Sequence, residues 1–360
     1  MTANPEPAMF KGQILGRSTW RLAEHNRSIG YSRDGDAIRT RVAPVKPLDM
    51  KRPFVIAAVL AAAPIVGCSS GEIDDPRPLV VCTTTMIGDL ATEIAGEDLR
   101  VEVLLGPEVD PHLFRPTRDD VARLLAADVV LWNGFHLESN LQETLERLED
   151  EGKTVVPVGE RATPPALVLE VDEGTADPHV WMDVSIWARA AATTGEVLLE
   201  AAPTDATSAI TERTKHLVQS LVELDEEIAL AFEGIPSNAR TLVTAHDAFS
   251  YFGRRYGFRV HAIQGISTSS EAGLRAIEEL VALVVERQIP AVFFESSVSE
   301  RSVRALVEGA HAEGHAVSLG GTLHADAPGD AGNYIGMVRH NASALAAALA
   351  PDPADVESLR

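Results

Sequence analysis

The sequence predicts an α/β protein of two lobes, each built on a mostly parallel sheet, joined by one long rigid helix. Three observations carry that expectation. From position 76 onward, short apolar runs alternate with amphipathic stretches of helical period, the pattern of strands and helices layered around parallel sheets. The alternation comes in two series. Between them lies an uninterrupted helical pattern over 205–232, which at 1.5 Å per residue is roughly 40 Å long, enough to run along both lobes.

In the first series, strands are expected at 79–82, 101–105, 129–132 and 154–158, each a short apolar run. Helices are expected between them at 87–95, 118–126 and 137–149. The long helix stops before Pro236-Ser237-Asn238, since proline and asparagine disfavour continuation. The second series places strands at 241–244, 259–263, 291–294 and 316–319, with helices between. The organisation expected is a first lobe over 78–204, a linking helix over 205–234 and a second lobe over 235–360.

A chain of 360 residues with 45% hydrophobic content can bury a sizeable core. Its formal net charge of −22 excludes nucleic acid as a partner, because neutralising phosphates needs clustered Lys and Arg and no such run is present. Cations are the more natural ligands for such a chain. Only two cysteines are present, Cys68 and Cys82, too few for a disulfide framework. Cys82 falls in an expected core strand and reads as a small, inert apolar residue.

Cys68 reads differently. Met50-Lys51-Arg52, the apolar run over 54–66 and Ile65-Val66-Gly67-Cys68 form a charged region, a short hydrophobic region and a small residue before a cleavage point. The apolar run is too short to span a bilayer as a mature helix. The pattern resembles a bacterial lipobox and marks Cys68 for lipid attachment, with 50–67 as signal peptide and 68–77 as a tether. Such a signal works from the N-terminus, so Met50 is the expected start and 1–49 a non-native or disordered extension. Residues 1–67 hold ten Lys and Arg against five Asp and Glu; the remainder holds 21 against 48, a net of −27, so the exported part is the more acidic.

Four segments carry candidate metal ligands. Asp110-Pro111-His112 follows an expected strand, where α/β folds place ligand groups and where Pro111 restricts the backbone. A second such tripeptide recurs as Asp177-Pro178-His179. His246 lies where the chain leaves a strand of the second lobe, and Asp326 lies after the last expected strand. Three imidazoles and one carboxylate suit a borderline divalent ion such as Zn²⁺, Mn²⁺ or Fe²⁺. Spacing alone does not bring them together, since they are separated by 67, 67 and 80 positions. Asp330 is the nearest competitor of Asp326, and His324 is expected to point elsewhere, two residues away in an extended segment.

These segments resemble the cluster A-I solute-binding proteins, the manganese, zinc and iron receptors of bacterial ABC importers. The resemblance covers nearly the whole chain after the signal and rests on several stretches in one order. They are Asp110-Pro111-His112-Leu113-Phe114-Arg115-Pro116, Asn133-Gly134, Asp177-Pro178-His179-Val180-Trp181-Met182-Asp183 and Thr244-Ala245-His246-Asp247-Ala248-Phe249-Ser250-Tyr251-Phe252, then Gln264-Gly265-Ile266-Ser267-Thr268, Glu295-Ser296-Ser297-Val298 and Asp326. It implies a metal cleft between the lobes, with His112, His179, His246 and Asp326 as ligands. In that family the third ligand is histidine or glutamate, so His246 places the chain in the three-histidine group. Many zinc receptors of the family insert a His-rich loop after the first ligand, and residues 113–135 contain no histidine.

The resemblance further implies an extracytoplasmic, membrane-anchored monomer that delivers zinc, manganese or iron to an importer permease and performs no chemistry. The other functions weighed are an exported zinc hydrolase and a surface adhesin. His-Glu-x-x-His does not occur, and four protein ligands leave no place for an activated water. Because histidine ligates only when neutral, affinity is expected to fall below about pH 6. His311 and His315 are expected to decorate the surface near a helix end, His136 to lie on the cleft rim or at a solvent-facing helix start, and the acidic stretch 143–150 to be a solvated helix face.

Overall fold

The computed structural model describes residues 75–172, 174–270 and 272–349, all within one compact unit. Cys68, the expected extension over 1–49 and the expected signal peptide over 50–67 lie outside the described residues.

The first lobe runs β1 (Leu79–Cys82), α1 (Thr85–Ala95), β2 (Arg100–Val103), α2 (Arg118–Ala126), β3 (Val129–Trp132), α3 (Gln142–Asp150) and β4 (Thr154–Pro157). Its sheet has the order β2-β1-β3-β4 with every pairing parallel, Val80 standing opposite both Val101 and Val129. All four residues of β1 are buried, as a parallel strand covered on both faces requires. Threonines set the helix starts: Thr84 accepts the Ile87 N–H, and Thr117 forms a reciprocal capping box with Asp120.

A connecting region follows, with α4 (Val158–Ala162), the antiparallel pair β5 (Glu170–Asp172) and β6 (Thr175–Ala176), then α5 (Val184–Ala201) and the 25-residue α6 (Thr207–Ala231). Asp183 caps α5 by accepting from Ser185 and Ile186. The crossing of α5 and α6 is close at Gly195, where a Cβ would lie 2.3 Å from Thr214 Cγ2. Gly195→Val is therefore expected to lower the thermal midpoint by several degrees, through an overpacking cost of about 1–3 kcal/mol. An unchanged midpoint would show slack between the two helices.

The second lobe runs β7 (Thr241–Thr244), α7 (Ser250–Tyr256), β8 (Arg259–Ala262), α8 (Leu274–Glu286), β9 (Ala291–Glu295), α9 (Arg301–Ala312), β10 (Ser318–Leu323) and α10 (Tyr334–Leu349). β7 pairs with β8 and β9 with β10, both parallel, and β7 lies beside β9. One hydrophobic cluster runs through both lobes, from Val80 and Ile87 through Trp187, Leu224 and Phe249 to Met337 and Leu349. No helix among the described residues is long and apolar enough to cross a membrane.

Four departures from expectation have local causes. The α5 helix was not expected as a separate element: its buried residues surround most of its circumference, and Gly195 interrupts the helical signal. α3 begins at Gln142 rather than 137, because Gly134, Phe135 and His136 adopt φ of 87°, 52° and 61° and turn the chain first. The strand expected over 154–158 ends at Pro157, and Val158 opens α4. The last strand runs beyond 319 to Leu323 across a register shift between Leu319 and Thr322, where Gly321 takes φ 115°.

Candidate metal centre

Four loops at strand or hairpin ends converge. His112 lies on the loop between β2 and α2, His179 between β6 and α5, His246 two residues past β7, and Asp326 three residues past β10. One ligand atom from each lies within 4.8 Å of every other, and all four residues are buried. His112 Nε2 stands 3.2 Å from His179 Nε2; His179 Nε2 stands 3.6 Å from Asp326 Oδ1, and His246 Nε2 3.5 Å from Asp326 Oδ2. Donors about 2.0–2.2 Å from one ion at tetrahedral angles would be separated by roughly 3.4 Å. Those three spacings fit that geometry. Both His246 Nε2 and Asp326 Oδ1 are buried without a hydrogen-bond partner among the described residues, the condition an ion would relieve.

Each donor is held from behind. The Asp177 carboxylate accepts from the His179 backbone N–H at 2.9 Å and from its Nδ1 at 2.8 Å, which leaves the Nε2 lone pair for a ligand. Glu295, at the end of β9, accepts the His246 N–H at 2.8 Å, and its other oxygen contacts His246 Nδ1. Asp110 accepts the His112 N–H at 2.8 Å. The Ser297 hydroxyl donates to Asp326 Oδ2 at 2.9 Å. In both Asp-Pro-His tripeptides the aspartate accepts the N–H two residues on, a local turn that aims the imidazole.

The charges of the cluster are coupled. Burial pushes the His112 imidazolium down to about 3, so this ring is neutral. Burial also disfavours the charged form of His179, but the hydrogen bond to Asp177 and the nearby Asp326 carboxylate outweigh it and lift the ring to about 9. His246 is raised likewise, burial being overcome by Glu295 and Asp326. Asp326 is held well below the usual carboxylate range: burial would raise it, but His246 and His179 prevail.

The other candidates stand apart. The Asp330 side chain is 90% exposed and pairs with His324 Nε2 at 3.0 Å, outside the cluster. His324 Nδ1 lies 3.1 Å from Ser296 Oγ. His311 and His315 do more than decorate the surface, because their Nε2 atoms meet the carbonyls of Val317 at 3.0 Å and Ile289 at 2.7 Å, tying the end of α9 to its neighbours. His136 is exposed, in the turn before α3, with Nδ1 2.6 Å from Gln142 Oε1. Cys82 is fully buried in β1, and burial pushes its thiol far up. The sequence reading assigned no role to Asp110, Asp177, Glu295 or Ser297; the repeated Asp-Pro-His is the signal that could have found the first two.

Comparison with known proteins gives a consistent result. A family model described as zinc-uptake complex component A, periplasmic, matches residues 80–348. The manganese-binding lipoprotein MntA of Bacillus subtilis is 41% identical over 308 residues, covering 83% of this chain and 100% of that protein. The zinc-binding protein TroA of Treponema pallidum is 41% identical over 310 residues, covering 84% and 100%. The solved structure of that periplasmic zinc-binding protein superposes with a TM-score of 0.73 at 42% identity, over 76% of this chain and 99% of the other.

Proposed function

This chain belongs to the zinc-uptake complex component A family of metal-binding proteins that serve ABC importers, and on that premise we propose that it captures a divalent transition metal outside the cytoplasm and hands it to the importer's membrane permease. The observation that carries the proposal is the buried cluster of His112, His179, His246 and Asp326. A hydrated ion exchanges its water for three imidazole nitrogens and one carboxylate, whose donor softness and single negative charge suit zinc and manganese. The capture involves no reaction. Four protein donors leave no coordination position for an activated water, so hydrolysis is not part of the proposal.

The same reading assigns 78–204 and 235–360 to the two lobes, with the segment 205–234 between them. The similarity to a manganese-binding lipoprotein and to a periplasmic zinc-binding protein supports an extracytoplasmic place for this chain. Attachment through a lipid on Cys68 and action as a monomer complete the proposal.

The test is uptake of radioactive zinc and manganese by cells with and without the gene, alongside metal content of the purified chain. Deletion is expected to abolish high-affinity uptake of one of the two ions, and the chain to hold one ion. Unchanged uptake of both, with no stoichiometric metal on the protein, would sink the proposal.

A further inference from the structure

The four ligand loops are not fastened alike. The segment carrying His179 is bound to the second lobe by a set of hydrogen bonds. Trp181 Nε1 donates to the Ala325 carbonyl at 2.8 Å, and the Tyr334 hydroxyl donates to the Trp181 carbonyl at 2.6 Å. Arg254 reaches the Leu167 carbonyl at 2.5 Å and Asp183 at 3.2 Å, and the Tyr251 hydroxyl accepts the Leu169 N–H at 3.1 Å. Asp326 is the residue after Ala325, and Glu295 and Ser297 hold His246 and Asp326 from one strand end. Three of the four donors therefore share one body.

His112 is the exception. Among the described residues, one hydrogen bond joins the backbone or side chains of its loop's non-ligand residues to the second lobe: the Thr268 hydroxyl donates to Asp110 Oδ2 at 2.5 Å. The other oxygen of that carboxylate accepts the His112 N–H. One carboxylate thus connects the second lobe to the backbone of the first ligand. A cavity of about 390 Å³ lies over this bond, lined by Asp110, Leu113, Gln264, Thr268, Ser297 and Arg301. His112 is also the most exposed ligand, at 7% against 0%, 0% and 2% for His179, His246 and Asp326.

We propose that the Asp110–Thr268 hydrogen bond is a latch that sets how long the ion stays bound. While it is made, Asp110 holds His112 on the ion. When it breaks, the His112 loop withdraws, the ion faces the cavity with three donors still assembled, and release follows. Asp110 and Thr268 are positioning residues, and neither touches the ion. The latch rests on the reading of the cluster as a metal site.

The experiment compares the wild-type chain, Thr268→Val and Thr268→Ser, each loaded with zinc, by chelator-driven release in stopped flow. Thr268→Val keeps the shape of the side chain and removes the donor, so release is expected to accelerate about tenfold, the loss typical of a hydrogen bond to a charged group. Thr268→Ser restores the donor and is expected to release near the wild-type rate. The visible spectrum of the cobalt-loaded variants is expected to match wild type, because the donor set is intact. Wild-type release from Thr268→Val overturns the latch, even with a lowered melting temperature, and equal acceleration by Val and Ser overturns it too. A wild-type chain that takes up no zinc would remove the metal-site reading itself, a result distinct from normal binding with no effect of Thr268→Val.

Discussion

Replacing Asp326 by alanine is expected to weaken zinc binding by about a thousandfold while the chain stays folded. Loss of a group that merely supports a ligand costs about 10–100-fold in metal affinity, and Asp326 is the one anionic donor in the cluster. Its side chain is fully buried between His179 and His246, so no surface carboxylate can replace it. Its removal leaves an ion on three neutral imidazoles with a water as fourth ligand, an arrangement found in catalytic rather than storage sites. The control is Asp330→Ala, four positions along the same loop and 90% exposed, which is expected to bind as wild type. Competition against a chromophoric chelator measures both. Wild-type affinity in Asp326→Ala, or an equal loss in Asp330→Ala, would show that the carboxylate has been misassigned.

Zinc capture is expected to release protons and to weaken steeply as pH falls from 9 to 6. Sequence reasoning from an ordinary imidazole placed the decline below about pH 6. The cluster moves it upward. With His179 lifted to about 9 by Asp177 and Asp326, and His246 raised by Glu295 and Asp326, the ion must displace protons already held at neutral pH. Below its pKa, each such proton costs about tenfold in apparent affinity per pH unit. His112, held near 3, releases none.

The sign for stability is opposite in the two forms. A raised histidine stabilises the metal-free chain fully below its ordinary pKa of about 6.5, and that contribution is lost as pH rises through about 9. The metal-free chain therefore weakens over the window in which the ion binds better, and the gap in melting temperature between loaded and empty chain widens with pH. Calorimetry in buffers of different ionisation enthalpy counts the protons, and a flat profile with no release at pH 7.5 would contradict the coupling.

Much of the fold is legible in the sequence because parallel strands buried on both faces write continuous apolar runs. Leu79–Cys82, Val129–Trp132 and Thr241–Thr244 have the expected bounds. The sequence is less informative where the signal is not periodic. α5 is buried around most of its surface, and the turn at Gly134, Phe135 and His136 depends on positive φ that no hydrophobic pattern reports. The types of the candidate ligands are legible from the repeated Asp-Pro-His and from the segments around His246 and Asp326. Their convergence is not, because separations of 67, 67 and 80 positions are bridged only by tertiary structure. Glu295 shows the limit best: it reads as an ordinary strand end, and its role behind His246 arises from the neighbouring positions of β7 and β9.

The hydrophobic cluster that passes from β1 through α5 and α6 to α10 has a consequence for how the receptor fails. Each lobe has a smaller cluster of its own, but melting one removes part of the shared core of the other, so unfolding is expected to couple the two. The proposed ligands, drawn from both lobes, are then dispersed together when the shared core melts.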